Sequence, residues 1–415
     1  MVSSKDPHGK RAGRGRAGSR RPSGVKPPAT TESAGDRPAA LIASQSAFDQ
    51  LVARLSGEPL VAVDTEAASF HRYHDRVYLV QVSTRQLTAV IDPLAVGDLS
   101  GLGRILANPE IEIVLHDADY DLRILDRDYG FRATRLFDTR VAAQLLNEPG
   151  IGLAALLEKY FEVRLDKQFQ RADWSRRPLS AGMLAYAAAD THYLPSLRDR
   201  LHTALDERGR WPWAEEEFGL LEELRWAQPG PAEEGYRRLK GASRLRGKTL
   251  TVLRELYAWR DQVGRDMDRA LFRVVTNEAL LALAQAAPAS MEALRAVGGV
   301  SSDLITRRGE QMLAAVERGV AAPPEKPVPY VRDRTPRDPA IAVRLEQLKE
   351  VRNRVAAEVD LAPGLLCPNA TLEQIAQRNP TTREELAATP ELKRWQIEVA
   401  GEEFLRALRG GKPKS

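Results

Sequence analysis

The spacing of apolar and polar positions changes character along the chain. Short apolar runs rich in Val, Ile and Leu occupy residues 60–63, 77–82, 87–91 and 111–115, and runs of that length bounded by polar loops predict β-strands. From residue 119 the apolar positions recur every three or four, over 119–129, 138–147, 152–160 and 181–204, which predicts helices. Strands first and helices later, within one block over residues 41–210, predict a mixed sheet covered by helices. The Trp-Pro-Trp stretch at 211–213, an acidic helix at 214–226 and Gly- and Pro-containing sequence at 229–231 predict a helical connector over residues 211–240.

Beyond the connector the pattern repeats itself at an offset of 92 positions, the separation of Asn277 and Asn369. Leu280 falls on Leu372, Pro288 on Pro380, Leu294 on Leu386, Gly309 on Gly401 and Leu313 on Leu405. Further back, Leu253, Leu256 and Arg260 fall on Leu345, Leu348 and Arg352. A glycine, a proline and a leucine frame held in register over this length mark two related all-helical domains, residues 241–320 and 339–410. The spacer between them, 321–338, carries Pro323, Pro324, Pro327, Pro329 and Pro336 and is expected to be extended and stiff.

Composition adds bounds. A chain of 415 residues, 43% hydrophobic and 28% charged, is long enough for two or three globular domains. It contains no apolar stretch long enough to span a bilayer, and no apolar segment follows the basic N-terminal residues. A cytoplasmic, monomeric protein with no membrane partner is therefore expected. Cys367, the single cysteine, has no internal partner and is expected to be a small core hydrophobe. Residues 1–40 hold nine basic and three acidic side chains, a surplus of six against a net charge of +4 for the whole chain. This segment is expected to be a disordered basic tail, either attracted weakly to nucleic acid or simply solubilising.

Three groups of polar residues carry candidate chemistry. Asp64-Thr65-Glu66 ends the first apolar run, and strand alternation puts residues 64 and 66 on one face, a pair able to grip a hard cation. His116-Asp117-Ala118-Asp119-Tyr120-Asp121 follows the run at 111–115 and opens a helix. There Asp117 is expected to cap the helix, while Asp121, one turn further on, can turn toward the first motif. Tyr186-Ala187-Ala188-Ala189-Asp190 lies in a helix, and its spacing of four sets phenol beside carboxylate. Each group alone has a dull explanation as a strand end, a helix start or a surface pair. Together, Asp64, Glu66, Asp121 and Asp190 supply the oxygens that two divalent ions need, and Tyr186 can orient a water.

The order Asp-x-Glu, acidic helix start, Tyr-x-x-x-Asp resembles the tyrosine-type DEDD exonucleases. Residues Ala172-Asp173-Trp174-Ser175-Arg176-Arg177-Pro178-Leu179-Ser180, with Phe137-Asp138-Thr139, resemble the ribonuclease D branch and its exosome-associated relatives. The repeated helical units resemble the helicase-and-RNase-D C-terminal (HRDC) domain, so the likeness covers roughly residues 40–410. It implies a ribonuclease H-like exonuclease domain followed by two HRDC domains. It also implies two Mg²⁺ or Mn²⁺ ions and release of nucleoside 5′-monophosphates from RNA 3′ ends, transfer-RNA precursors among them. By motif position it assigns Asp64, Glu66 and Asp190 to one metal, Asp64 and Asp121 to the other, and Tyr186 to the attacking water. Asp117 and Asp119 depart from the pattern, standing where the family often has uncharged residues.

Other features are weaker. Residues 242–249 fit a loose phosphate-loop pattern, but the preceding sequence is charged and helical in type, so no NTP site is expected. His71 and His74 are expected at the surface or facing RNA. His116, Lys167, Gln168, Arg171 and Arg176 are candidate RNA contacts, with Arg177 in the same basic run, or else a solvated face. Trp174 suits stacking on a base or packing beneath the helix. Two rival functions stand beside RNA trimming. One is a DNA 3′-exonuclease, since the same site cuts either backbone; the other is a non-catalytic RNA-binding adaptor.

Overall fold

Strand β2 (Leu60–Ala67) organises the first half of the chain, because Val61, Ala62 and Val63 are all fully buried and need a neighbour on each side. It pairs antiparallel with β3 (Val77–Ser83) and parallel with β5 (Glu112–Leu115). With β1 (Ala40–Ile42), β4 (Thr88–Ile91) and β6 (Leu136–Asp138) they form a mixed six-stranded sheet in the order β1-β4-β3-β2-β5-β6. The computed structural model describes residues 40–166, 168–227, 232–325 and 338–410. The tail up to residue 39, Lys167, the 229–231 stretch and most of the proline-rich spacer lie outside them.

The sheet is covered by α1 (Gln45–Leu55), α2 (Ser100–Leu106), α3 (Asp119–Tyr129), α4 (Thr139–Leu145), α5 (Leu153–Phe161), α6 (Ala181–His192) and α7 (Leu194–Glu207). The apolar spacing predicts one helix over 181–204, but there are two. Pro195 has no N–H to give an uninterrupted helix and sits instead in the first turn of α7. The next helix, α8 (Trp211–Glu222), starts earlier than predicted and belongs to the packed body. Phe218 lies on Phe137 with ring centroids 5.0 Å apart, and Glu222 accepts from the Leu136 N–H at 2.9 Å.

Two helical units follow. The first comprises α9 (Gly247–Asp266), α10 (Leu271–Val274), α11 (Asn277–Ala286), α12 (Met291–Ala296) and α13 (Ser302–Ala321). The second comprises α14 (Pro339–Glu358), α15 (Pro363–Leu366), α16 (Asn369–Arg378), α17 (Arg383–Ala387) and α18 (Arg394–Leu408). The internal repeat extends to individual hydrogen bonds. Buried Arg260 donates to Val275 O at 3.0 Å and Asn277 Oδ1 at 2.8 Å, and buried Arg352 donates to Cys367 O at 3.1 Å and Asn369 Oδ1 at 2.7 Å. A guanidinium can be enclosed only if such acceptors meet it. Cys367 thus takes the place of Val275, and burial pushes its thiol up to about 12. Lys248, in the loose phosphate-loop match, donates to Val320 O and Ala322 O at 2.6 Å each, at the end of α13.

Both units rest on the sheet domain. Trp395 of α18 stacks on Trp213 with centroids 5.0 Å apart and donates to Glu217 at 2.8 Å. In the first unit, Ala270 donates to His71 O at 3.2 Å, and Asp261 accepts from the Tyr73 hydroxyl at 3.0 Å.

Candidate active site

The strand period of two sets Asp64 and Glu66 side by side on β2, opposite Gln81 and Leu79 of β3. The register slips between Glu66 and Ala67, so the pair stands where regular pairing ends. Helix α6, begun by the Ser180 hydroxyl accepting from the Met183 N–H at 3.2 Å, packs against β2, β3 and β4. The small, fully buried Ala187 lets it approach closely. Asp190 is thereby delivered to the strand pair: carboxylate oxygens of Asp64, Glu66 and Asp190 all lie within 4.8 Å of one another. They face a cavity of about 500 Å³ that Tyr186 also lines. The Tyr186 ring is held between Phe169 and Trp174, at centroid distances of 6.2 and 6.0 Å.

No lysine or arginine lines this cavity among the described residues. Burial and mutual repulsion therefore outweigh the hydrogen bonds that Thr65 gives to Asp64 and Asp121. Asp64 is pushed well above the usual carboxylate range by burial and then by Asp121, Asp190 and Glu66. Glu66 is pushed up to about 9 by burial and then by Asp190 and Asp121, and burial pushes Asp190 up to about 7. The Tyr186 phenol is also raised, by burial and then by the same three carboxylates, so it holds its proton as a hydrogen-bond donor. Directly across from Asp64, the fully buried Gln81 has no protein partner for either side-chain amide atom. Converging carboxylates without a counter-cation, beside a free amide, fit a hard divalent ion.

Asp121 is also in the cluster's field, buried and pushed up to about 7 mainly by its burial. Its carboxylate accepts a short hydrogen bond from the Thr65 hydroxyl, the residue between Asp64 and Glu66. Asp117 is not the cap that its position suggests. Its backbone is left-handed, with φ of 66°, and its carboxylate pairs with exposed Arg140. The turn is held instead by Asp138, at the end of β6, which accepts from Asp117 N at 3.2 Å and Ala118 N at 2.8 Å. The same carboxylate caps α4. Asp119 forms a surface pair with Arg123 at 2.8 Å. His116 lines the cavity, with Nδ1 2.9 Å from the Thr139 hydroxyl; burial lowers its pKa. That hydroxyl donates to Leu115 O at 3.1 Å, so the His116 Nδ1–H donates to it and Nε2 is left as an acceptor.

The remaining RNA-contact candidates divide. Trp174 is 1% exposed and cannot stack on a base; its indole packs beneath Tyr186. Arg177 is tied to Asp92 at 2.6 Å. Gln168, Arg171 and Arg176 are exposed, and Arg176 keeps most of its surface free although it touches Asp173 at 3.2 Å. His71 bonds Arg171 O at 2.9 Å, and the His74 backbone N–H donates to Asp268 at 3.0 Å. Sequence patterns do not single out Asp166, Gln170 or residues 152–155, all of which line the cavity. For the last group a signal exists in Gly152, an N-cap without a side-chain cap hydrogen bond.

Comparison with known proteins now bears on this geometry. The 3′-5′ exonuclease family matches residues 40–206, and the HRDC domain matches 249–316 and 342–408. Ribonuclease D of Acidiphilium cryptum (strain JF-5) is 33% identical, over 90% of this chain and 93% of its own. The chain belongs to the ribonuclease D family. Among solved structures, Escherichia coli RNase D, described as an exoribonuclease involved in structured RNA processing, superposes with a TM-score of 0.66. It is 28% identical and the match covers 91% of this chain and all of that one. The catalytic core of RRP6 from Trypanosoma brucei superposes with a TM-score of 0.62 and 30% identity, covering 69% of this chain and 80% of its own. As a ribonuclease D family member the chain is a metal-dependent 3′–5′ exoribonuclease whose cofactors are two divalent ions.

Proposed function

We propose that the chain trims RNA 3′ ends, transfer-RNA precursors among them, with Asp64, Glu66 and Asp190 holding one divalent ion and Asp64 and Asp121 the other. The observation that carries the first assignment is the gathering of three carboxylates within 4.8 Å, beside a phenol and with no cationic side chain lining their cavity among the described residues; Asp121 stands outside that trio and is tied to it through Thr65. When bound, the two ions supply an activated water and charge to stabilise the leaving 3′-oxygen. Asp121, whose carboxylate accepts from the Thr65 hydroxyl, would hold the second ion together with Asp64. Tyr186, protonated and clamped by Phe169 and Trp174, orients the attacking water in line with the scissile bond. The uncapped first turn of α5 offers backbone N–H groups to the phosphate. His116 presents Nε2 to the cavity as an acceptor, which suits a ribose hydroxyl. Gln168, Arg171 and Arg176 guide the strand toward the cavity.

No helix among the described residues is long and apolar enough to cross a membrane. The lone, buried Cys367 fits a reducing compartment such as the cytoplasm. The test is to incubate the protein with 5′-labelled RNA and DNA of one sequence in Mg²⁺, Mn²⁺ or EDTA, beside Asp190→Asn. Laddering of the RNA from its 3′ end, lost in EDTA and in the variant, is the expected result. Faster laddering on DNA supports a DNA exonuclease instead, and binding without cutting supports an adaptor.

A further inference from the structure

Two phenylalanines stand half in solvent where the exonuclease domain meets the first HRDC unit: Phe70 is 49% exposed and Phe272 48%. Their rings meet edge to face with centroids 6.0 Å apart. Arg171 lies over Phe70 at 5.4 Å and Arg273 over Phe272 at 5.9 Å. Both arginines are exposed, and neither has a carboxylate partner among the described residues. Single exposed apolar side chains are ordinary, but a contiguous aromatic pair flanked by free guanidinium groups is a surface built for a ligand.

The patch is linked to the cavity along the chain. Phe70 lies in the loop leaving β2 just after Glu66, and Arg171 follows Gln170, which lines the cavity. His71 ties the three segments together, through its ring to Arg171 O at 2.9 Å and through its carbonyl to Ala270 N at 3.2 Å. The chain thus runs from the cavity wall at Gln170 directly into the patch at Arg171, which lies over Phe70.

We propose that Phe70 and Phe272 form a stacking platform for single-stranded RNA, taking bases 5′ of the nucleotide in the cavity while Arg171 and Arg273 meet their phosphates. Every base has a π-face and every linkage an anionic oxygen, so such a platform holds a moving strand without reading its sequence. Charge complementarity favours this polyanion over an apolar protein surface. The platform rests on the exoribonuclease reading, and its test separates the two.

Binding of 5′-fluorescein RNA of 12 and 3 nucleotides to the full chain is measured by anisotropy in EDTA, for the wild type, Phe70→Leu, Phe272→Leu and Arg171→Gln. Thermal melting monitors the fold of each. Each leucine variant is expected to weaken 12-nucleotide binding by about tenfold and 3-nucleotide binding by about twofold at most. Arg171→Gln is expected to flatten the salt dependence of 12-nucleotide binding. Equal weakening at both lengths, as a mere interdomain contact would give, or no weakening, overturns the platform. The same proteins are then given Mg²⁺. Laddering of RNA with length-blind variants rejects the platform alone. Length-selective binding without laddering rejects the exoribonuclease reading and keeps the platform.

Discussion

Removing the metal should make this fold lose stability as pH rises, and Asp190→Asn should remove the share of that loss that Asp190 contributes. In the metal-free protein Asp190 is pushed up from 3.8 to about 7 by burial. A carboxylate whose folded-state pKa is raised costs nothing below its unfolded value, where both states are protonated. The cost grows as pH rises and is complete above the folded value. At about 1.4 kcal/mol per pH unit, Asp190 alone costs the metal-free fold about 4 kcal/mol at alkaline pH, about 3 kcal/mol of it developing between pH 5 and 8. In a domain of this size that is roughly 5–10 °C in Tm. Asparagine keeps the shape and has no proton to lose. Thermal unfolding in EDTA at pH 5 and pH 8 should therefore show the wild type falling relative to the variant by that amount. Saturating Mg²⁺ should lift the wild type much more at pH 8 than at pH 5, where protons compete for the ligands. Parallel pH profiles for the two proteins in EDTA, or equal stabilisation by Mg²⁺ at both pH values, would refute the reasoning.

Tyr186→Phe should lower kcat on RNA by about 10²- to 10⁴-fold with little change in RNA affinity, because only a proton-bearing contact is removed; a rise in KM at unchanged kcat would count against it. Trp174→Ala should cost about 3–5 kcal/mol in urea unfolding, since the side chain is 1% exposed beneath Tyr186; loss of RNA binding with stability intact would show that burial is not its role. Glu217→Ala leaves Lys393 and the Trp395 indole N–H without their shared carboxylate and should cost about 3–5 kcal/mol. Hydrogen exchange should rise in α14–α18 and stay low in α9–α13, and uniform exchange across both units would argue against a local dock.

What was legible in the sequence follows from the range of the interactions. Asp64 and Glu66 share a face because strands have period two, and Tyr186 and Asp190 share one because helices return after four; both rules act within a few residues. Asp117 looks like a cap on the same local logic, yet the carboxylate that performs the task is Asp138. It arrives from the next strand only after β5 and β6 have paired. Trp174 is ambiguous for a similar reason: a tryptophan beneath a helix and one awaiting a base have the same local sequence, and the packing of the 169–187 segment on the sheet decides. Pro195 was a visible break inside the predicted 181–204 helix. The three-residue strands β1 and β6 are too short to show any period.

The two HRDC units also attach to the exonuclease domain by the same corner, although to different places on it. After its first long helix each unit turns through an aspartate in the left-handed region, Asp268 with φ of 43° and Asp360 with φ of 49°, one repeat length apart. Such a backbone is unfavourable for most side chains and is tolerated best by Asn and Asp among residues other than glycine. In both units the carboxylate it presents is used for docking. Asp268 accepts from the His74 backbone N–H at 3.0 Å and lies 3.7 Å from Arg72. Asp360 accepts from the Asn147 side-chain amide at 2.8 Å and pairs with Arg208 at 3.0 Å. A corner suited to binding, duplicated with the unit, thus serves two surfaces of one catalytic domain. The first copy fastens beside the loop that leaves Asp64 and Glu66, at the rim where RNA would pass. The second fastens to the ends of α4 and α7, where α8 adds the Glu217 and Trp213 contacts and makes that dock the more extensive of the two. Loosening the first dock should therefore disturb substrate handling, and loosening the second should disturb stability.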